Sequence, residues 1–400
     1  RPNIILIFSD DGGYNDLDLH GNPDFPTPEL DSLATAGVRF TDHYVTGGVC
    51  HPSRCGLLSG IYQQRHGTDN NLSGPSYVGL ATSQRTVPRR LQGLGYRTYG
   101  IGKWHLGDTV EFHPNCRGFD RWYGMSGGSR SYYDAGESEN QVFQDQMTPD
   151  FANENTGYLT DRIGDATVDF IDEHLGSSHA AEPFYIYVSF TAIHGPMDIK
   201  AMDPRFDRLQ NEFGLTAADY QNSPIVFSGS NQTTVDANRY ELAAMTLAMD
   251  EQIGKIVAKL DAEGLSSNTL VVYTNDNGGA GWTQASGGNY SYNTPLRGYK
   301  GGSMTDGSIR VACAAKWPGT IPAGQVVEDP VISLDWGATF VNAAGDAPAQ
   351  ARNGLDGIDL MPRLTSGAPL PAERMMFWRA GGHSGGGSAA RMGDWKLLID

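Results

Sequence analysis

The sequence predicts an α/β fold, in which a central sheet lies between helices. Two observations support this prediction. Short runs rich in branched and aromatic residues recur along the 400 residues, and helical patterns separate them. Polar residues follow four of these runs, at the position where an open α/β sheet binds ligands. Because a single core stops growing at roughly 250–300 residues, we expect one large domain and one small one.

The predicted strands and the clearest helix follow from local patterns. The runs predicted to be buried strands are residues 4–8, 98–101, 184–190 and 270–273. Residues 236–260 are predicted to form a helix, because apolar residues from Leu242 to Leu260 lie on one stripe. Asp236 is suited to cap the start of this helix, and Gly264 follows its end. The helix is therefore assigned to the core and not to a site.

Two segments and the end of the chain depart from this alternation. Residues 125–157 and 195–235 lack clean periodicity and are predicted to be long loops around a binding face. The pattern changes after residue 368, so we predict a large domain over 1–368 and a small C-terminal subdomain over 369–400, expected to be incomplete. In this subdomain, residues 375–378 and 395–399 are predicted to form short antiparallel strands, and the glycine-rich stretch 381–387 is predicted to be a flexible loop.

Composition limits the partners. Formal net charge is −17, which argues against nucleic acid and anionic membrane surfaces as general partners. No stretch approaches the ~18 apolar residues of a membrane span, so no membrane association is expected. The plainer interpretation of the charge is a surface of solvated carboxylates.

The cysteines do not form a recognisable scaffold. Cys50, Cys55, Cys116 and Cys313 are too few for disulfides to hold a chain of this size, and their spacing is not that of a zinc knuckle. Cys55 and Cys116 are predicted to be buried small hydrophobic residues. The disulfide state of Cys55, Cys116 and Cys313 stays open. At least one of the four cysteines needs another explanation.

Oxygen-bearing side chains stand after the first and the last of the predicted strands. Asp10 and Asp11 follow residues 4–8, and Asp276 and Asn277 follow residues 270–273. Carboxylate and amide oxygens suit a hard cation such as Ca²⁺ better than zinc, whose sites favour His and Cys. One Asp-Asp pair alone is more typical of a turn or a helix cap. Two pairs after buried strands predict a calcium site.

The most informative segment is Cys50-His51-Pro52-Ser53-Arg54. Pro52 suits the first turn of a helix that runs to about Leu58, which places Cys50 at a helix N-terminus. The helix dipole favours anions there, so a reactive group at Cys50 can meet a negatively charged substrate. A plain thiolate nucleophile is an open alternative.

The chain resembles the formylglycine-dependent (type I) sulfatases of the alkaline-phosphatase superfamily over nearly its whole length. Their signature is Cys-x-Pro-Ser-Arg followed by Leu-Thr-Gly, and here Ser59 replaces the Thr. The other family motifs occur in the family order: Asp10-Asp11, Gly102-Lys103-Trp104-His105, His194, Asp276-Asn277-Gly278 and Lys300. The resemblance implies an alkaline-phosphatase-like mixed central sheet sandwiched by helices, and a small C-terminal α+β subdomain built on an antiparallel sheet.

The resemblance also implies a mechanism. Cys50 would be oxidised to formylglycine by a formylglycine-generating or anaerobic sulfatase-maturating enzyme, and one oxygen of its hydrate would attack sulfur while the other later expels sulfate. The implied site residues have these roles: Arg54 and His105 orient this diol, Lys103 and Lys300 hold the sulfate oxygens, His194 protonates the leaving alcohol, and Asp10, Asp11, Asp276, Asn277 and the modified Cys50 bind one Ca²⁺. The chain begins with Arg1, so we expect a periplasmic or secreted protein whose signal peptide has been removed.

The substrate is less constrained. We favour a bacterial carbohydrate or polysaccharide sulfatase over an arylsulfatase of broad specificity, because aromatic and Arg residues in the loops suit a sugar subsite. The subsite candidates are Arg130, Tyr132, Arg297 and His383, with the aromatic residues Trp122, Tyr123, Tyr133, Tyr290 and Tyr292. Rival interpretations are a phosphonate or phosphodiester hydrolase of the same superfamily, which typically carries Asp-His where this chain has Asp276-Asn277, and an inactive glycan-binding protein.

Overall fold

A computed structural model describes most of the chain. The described residues are 1–72, 78–133, 143–145, 157–220, 232–281, 288–346, 354–381 and 387–399. Among them, no helix combines the length and the apolar character that a membrane crossing needs.

Strands and helices alternate along much of the chain. The strands are β1 Asn3–Ser9, β2 Val38–Phe40, β3 His43–Tyr44, β4 Arg97–Lys103, β5 Arg121–Met125, β6 Phe143–Gln144, β7 Phe184–Ser189, β8 Thr269–Asn275, β9 Cys313–Lys316, β10 Gln325–Val327, β11 Val331–Ile332, β12 Met375–Arg379, β13 Ser388–Met392 and β14 Trp395–Ile399. The α-helices are α1 Pro28–Thr35, α2 Cys50–Ser59, α3 Val87–Gly93, α4 Leu159–Gly176, α5 Pro204–Phe213, α6 Gln232–Ala262, α7 Asp306–Ile309, α8 Leu334–Ala343 and α9 Met361–Ser366. Short 3-10 turns are Asp18–His20, Gln63–His66, Val110–Phe112, Pro114–Arg117 and Ser266–Asn268.

The central sheet is mixed, as predicted. Its strand order is β10-β2-β9-β8-β1-β7-β4-β5-β6. The neighbours β8, β1, β7, β4 and β5 are parallel, whereas β9 and β6 run antiparallel to the strands beside them. The four predicted strands are all confirmed and are adjacent in this sheet. Their carboxyl ends therefore lie side by side at one edge.

The sheet buries both faces, as expected for parallel strands between helices. On β1, Ile5 and Ile7 pack in the cluster that includes α1, α4 and α6, whereas Ile4, Leu6 and Phe8 pack in the cluster of α2, α3 and α8. Full burial of a large aliphatic side chain contributes roughly 1.5–3 kcal/mol, so this continuous apolar strand fixes β1 at the centre of the fold.

The predicted long helix is confirmed, and both predicted loops are partly wrong. The segment 125–157 contains β6. α6 spans Gln232–Ala262, begins four residues before the expected cap and buries the apolar stripe from Leu242 to Leu260. The segment 195–235 was predicted to be a loop, yet α5 occupies Pro204–Phe213. Asp203 caps α5 by accepting a hydrogen bond from the amide of Arg205 at 3.0 Å, and Pro204 occupies its first turn.

The C-terminal strands form the predicted antiparallel sheet, with the order β12-β13-β14. β13 was not predicted. One face of the sheet packs on the main body, where the Trp378 indole donates to the carbonyl of Val45 at 2.7 Å. The division at residue 368 remains a prediction.

All four cysteines are free thiols. Cys50, Cys55 and Cys313 are buried. Cys116 is exposed, so the prediction that it packs in the core is wrong. It lies in the short turn Pro114–Arg117, where a single helical turn cannot enclose every side chain.

Candidate active site

The functional candidates meet at the carboxyl edge of four adjacent strands. Asp10 and Asp11 follow β1, Asp276 and Asn277 follow β8, and the loop with His194 follows β7. Lys103 ends β4, and His105 comes two residues later. Cys50 begins α2, which packs on one face of the sheet. The structure thus brings together residues as far apart in the sequence as Asp10 and Asn277, which are separated by 267 positions.

Three buried carboxylates are each paired with a buried cation. Lys103 Nζ donates to Asp10 Oδ2, and Lys300 Nζ donates to Asp11 Oδ2 at 2.8 Å. Asp276 Oδ2 accepts from Arg54 Nε at 3.2 Å and from Nη2 at 3.0 Å. The three carboxylates are fully buried. Because the formal charges balance, the cluster tolerates burial that a single charge would not.

Arg54 contacts several members of this cluster. Besides Asp276, its Nη2 lies 3.5 Å from Asp10 Oδ2. Its Nη1 donates to Ser189 Oγ at 2.6 Å and to the carbonyl of Lys103 at 3.2 Å. A guanidinium has five donors in a fixed plane, and here they reach groups from four different strand ends. Arg54 therefore links the Asp10 and Asp276 carboxylates to the ends of β4 and β7.

Cys50 lies at the first turn of α2. Val49 before it is extended, and the helix runs to Ser59 with Gly60 in the left-handed conformation at φ 70°. The Cys50 thiol contacts Asp10 Oδ1 at 3.6 Å. Burial raises the pKa of Cys50 to about 12, although Lys103 and Lys300 act in the opposite direction. The side chain stands where helix amides and lysines favour an anion.

His194 presents one ring nitrogen to the cluster. Its Nδ1 contacts the carbonyl of Gly195, and because a carbonyl only accepts, Nδ1 carries the hydrogen. Nε2 faces Asp11 Oδ2 at 3.5 Å. Burial lowers the pKa of His194, and Lys300 acts in the same direction. A proton delivered to the centre of the site must therefore come from Nε2.

His105 is held in a left-handed backbone conformation, with φ 55°. This conformation costs a residue with a Cβ roughly 1–2 kcal/mol, so neighbouring contacts must stabilise it. Gly128 packs so closely that a Cβ there would lie 2.9 Å from two atoms of the imidazole. Burial, with Lys103 next, lowers the pKa of His105 well below its usual value.

Asp11 has a similar backbone, with φ 58°, and two residues that sequence analysis missed support it. Its carbonyl accepts from Asn289 Nδ2 at 3.1 Å and from Ser291 Oγ at 3.0 Å. Asn289 Nδ2 also donates to the carbonyl of Ile193 at 2.7 Å. One buried amide thus joins the Asp11 turn to the loop that carries His194. Asn and Ser are common in loops, so their spacing gave no signal.

The oxygen atoms at this edge fit a hard cation. Asn277 Nδ2 donates to Asp11 Oδ1 at 2.8 Å, whereas its Oδ1 is buried without a hydrogen-bond partner. A buried amide oxygen without a partner is costly unless a cation or a donor faces it. Single ligand atoms of Asp10, Asp11, Cys50 and His194 also lie within 4.8 Å of one another. The donor set is dominated by oxygen, which suits Ca²⁺.

Burial and charge act against each other on the carboxylates. Burial raises the pKa of Asp10, but Lys103, His194 and Arg54 together outweigh it, and the pKa lies below its usual value. Burial and the neighbouring Asp10 raise the pKa of Asp276, although Arg54 opposes them. A divalent cation between the two carboxylates would stabilise the ionised form of both.

The residues predicted to contact a sugar differ in their location and exposure. Arg130 lies on the loop after β5, where its Nε donates to the carbonyl of Ser131 at 3.0 Å, and Arg297 is exposed on the loop before Lys300. The prediction for Tyr132 is wrong. Its ring is fully buried, and its hydroxyl donates to the carbonyl of His194 at 2.8 Å. His383 lies outside the described residues.

Several predicted subsite aromatics are also core residues. Trp122 is fully buried beside Trp104 and Phe119. Tyr290 and Tyr292 are buried, and the ring of Tyr292 lies 3.8 Å from the guanidinium carbon of Arg239. Their burial excludes the stacking on a sugar that the sequence suggested.

Comparison with known proteins gives consistent matches. A family model described as Sulfatase matches residues 2–346. N-acetylgalactosamine-6-sulfatase from Sus scrofa is 31% identical over 99% of this chain and 71% of that protein, and steryl-sulfatase from Rattus norvegicus is 30% identical over 91% of this chain and 70% of that protein. The solved structure of Ps i-CgsB in complex with k-i-k-neocarrahexaose is 30% identical, with a TM-score of 0.83 over 100% of this chain and 84% of that one.

Proposed function

Because the chain belongs to the sulfatase family, the type I sulfuric ester hydrolases of the alkaline-phosphatase superfamily, we propose that it hydrolyses a sulfate ester of a sugar or polysaccharide. The reaction uses a formylglycine made from Cys50 and one calcium ion. The observation that carries this proposal is the ring of buried carboxylates and cations around Cys50, at the N-terminus of α2.

Asp10, Asp11, Asp276 and Asn277, together with the modified side chain at position 50, would hold the calcium ion. The partnerless oxygen of Asn277 supports this assignment. The carboxylates and their cationic partners cancel in formal charge, so an added cation would strengthen the attraction of the site for an anionic ester. A calcium ion held by these residues would supply that charge and Lewis-acid chemistry toward the sulfate group.

The residues around position 50 prepare the nucleophile. A formylglycine at this position, as its hydrate, would supply one oxygen for attack and a second for the release of sulfate. Arg54 and His105 orient this group, and Lys103 and Lys300 bind the sulfate oxygens. Arg54, Lys103 and Lys300 are already fixed by burial and by their carboxylate partners, so little reorganisation is needed as charge develops.

His194, in its imidazolium form, donates its Nε2 proton to the leaving alcohol and is left as the neutral imidazole with its hydrogen on Nδ1. Its Nδ1 donates a hydrogen bond to the Gly195 carbonyl, and this bond orients Nε2 toward Asp11. A sugar alkoxide is a poor leaving group and needs a proton as the S–O bond breaks. The Tyr132 hydroxyl and the Asn289 amide hold the loop of His194 from two sides.

The relatives support a glycan substrate. The N-acetylgalactosamine-6-sulfatase matches over nearly the whole chain, and the similar solved structure carries a neocarrahexaose. The steryl-sulfatase relative has a different substrate in its name, so family membership alone does not select a sugar. We further propose that a formylglycine-generating or anaerobic maturating enzyme modifies Cys50, and that the protein works in the periplasm or outside the cell.

A panel of substrates tests the proposal. Protein co-expressed with a formylglycine-generating enzyme is assayed for sulfate release from defined sulfated oligosaccharides and from an activated aryl sulfate, and for turnover of a phosphonate ester. Sugar sulfates are expected to turn over. Cys50→Ala should abolish turnover, whereas Cys116→Ser, at an exposed cysteine, should not. Phosphonate turnover without sulfate release would favour the phosphohydrolase, and activity on the aryl ester alone would favour a broad arylsulfatase.

A further inference from the structure

His51 occupies the variable position of the Cys-x-Pro-Ser-Arg segment, and its side chain is buried between two groups. It is 1% exposed. Its Nδ1 lies 2.8 Å from the carbonyl oxygen of His105, and its Nε2 lies 3.5 Å from the Sγ of Cys55, one turn later on α2. The two imidazole rings are 6.0 Å apart and nearly perpendicular. His51 therefore links the helix that begins with Cys50 to the loop that carries His105.

The partners of His51 define its tautomer. A carbonyl oxygen only accepts hydrogen bonds, so Nδ1 carries the hydrogen and donates it to His105. Nε2 is then left with a lone pair, which the thiol hydrogen of Cys55 can meet. Both contacts are satisfied by a neutral imidazole in one orientation.

The carbonyl that His51 holds belongs to a residue with an unfavourable backbone. His105 has φ 55°, and its amide donates to the carbonyl of Ser126 at 2.8 Å. The His51 bond restrains the other side of the same residue. The amide of His51 itself donates to Asn71 Oδ1 at 2.9 Å, which anchors the first turn of α2. The hydrogen bond from His51 thus connects the left-handed turn at His105 directly to α2, the helix that begins with Cys50.

We propose that His51 is a positioning residue for His105: its Nδ1–H bond to the His105 carbonyl holds that turn, and so the imidazole of His105, against the group at position 50. This inference rests on the proposed function, in which His105 orients the nucleophile. It adds a role for a residue whose side chain does not itself contact substrate.

Two substitutions separate the hydrogen bond from the bulk of the side chain. His51→Leu removes the donor, and kcat should fall roughly 10- to 100-fold, the usual range for loss of a group that orients an active-site residue, with less change in KM. In His51→Asn the amide nitrogen takes the place of Nδ1, so most of the activity should return. Rates are divided by the formylglycine content of each preparation, measured by mass spectrometry, because position 51 lies beside the modified residue.

His174→Leu is the matched control. His174 is also a buried histidine with two contacts, from Nδ1 to the Tyr99 hydroxyl at 3.1 Å and from Nε2 to the Glu182 carbonyl at 3.0 Å. It packs against Phe184 at the start of β7, at the opposite edge of the sheet from the site. Its replacement should lower the thermal midpoint as much as His51→Leu does and leave kcat unchanged.

A double-mutant cycle with His105→Ala decides whether His51 acts through His105. With the activated aryl sulfate, His51→Leu should have little further effect once the His105 imidazole is gone. Additive losses would overturn the proposal, as would a His51→Leu variant with wild-type kcat or a His51→Asn variant no better than Leu. Inactivity of the fully modified wild-type protein would instead refute the proposed function and would be seen before any variant is compared.

Discussion

Replacement of His194 by alanine should separate the two kinds of leaving group. The substitution removes Nε2, the nitrogen that faces the cluster, while Lys300 remains 2.8 Å from Asp11 Oδ2. The carboxylate therefore keeps its cationic partner, and the metal ligands lose little. The chief loss is the proton donor.

The size of the effect depends on the alcohol. General-acid assistance is worth ~10²–10⁴-fold, which corresponds to about 3–5.5 kcal/mol of transition-state stabilisation. A sulfated sugar should lose this full amount, because its alkoxide leaves only with a proton. A nitrophenolate leaves readily without one, so the aryl sulfate should lose much less.

The assay measures kcat/KM of His194→Ala for a sulfated sugar and for 4-nitrophenyl sulfate, with both rates corrected for formylglycine content. Lys103→Ala and Lys300→Ala are the controls. Each removes a charge that either substrate needs, so both rates should fall together. An equal loss on both substrates in His194→Ala would refute the proton-donor role and leave His194 as a further sulfate-binding group.

Two other predictions concern the metal and acid stability. Asp276→Ala removes a proposed calcium ligand and the partner of Arg54, so activity should collapse. Calcium at 100 times its Kd stabilises a protein that binds it by about 2.7 kcal/mol. The same calcium concentration should therefore raise the thermal midpoint of Asp276→Ala less than that of the wild type. An equal rise in the two proteins would exclude Asp276 as a ligand. His43 is buried between Thr274 and Trp336, and burial lowers its pKa to about 3. Between about pH 6.5 and about pH 3, His43 is protonated in the unfolded chain but not in the folded chain. The free energy of unfolding therefore falls as the pH falls through this interval, by about 2 kcal/mol at pH 5. Urea unfolding at one calcium concentration measures the difference in the free energy of unfolding between the wild type and His43→Gln. This difference should decrease by about 2 kcal/mol from pH 7 to pH 5. A difference that does not change with pH would contradict this reasoning.

The sequence was informative where a pattern is local. β1 is a continuous apolar run, and a strand buried on both faces has that composition. The stripe of α6 repeats with the helical period, so its existence was predicted although its first residues were not. Polar residues after parallel strands must meet at one edge, which is why the clustering of Asp10, Asp276 and His194 could be expected before any contact was known.

Features that depend on tertiary contacts could not be predicted in this way. α5 has few apolar residues and buries only Arg205 and Leu209, so its composition did not mark it as a helix, although Asp203 and Pro204 form a start signal that was overlooked. Tyr132 has the composition of a stacking residue, but only the fold shows that its ring is enclosed. The contact between His51 and His105 likewise joins α2 to the loop after β4, and no spacing rule specifies the distance between these two elements.

The central claim is that the group at position 50 is made from a cysteine and performs the reaction. The most direct test measures the mass of the peptide that contains Cys50 and the sulfate released from a sulfated oligosaccharide, in the same preparations, made with graded amounts of a formylglycine-generating enzyme. Conversion of the thiol to an aldehyde lowers the peptide mass by roughly 18 Da. Turnover should rise in proportion to the converted fraction and extrapolate to zero without conversion. Full turnover in a preparation whose Cys50 is entirely unmodified would contradict the account.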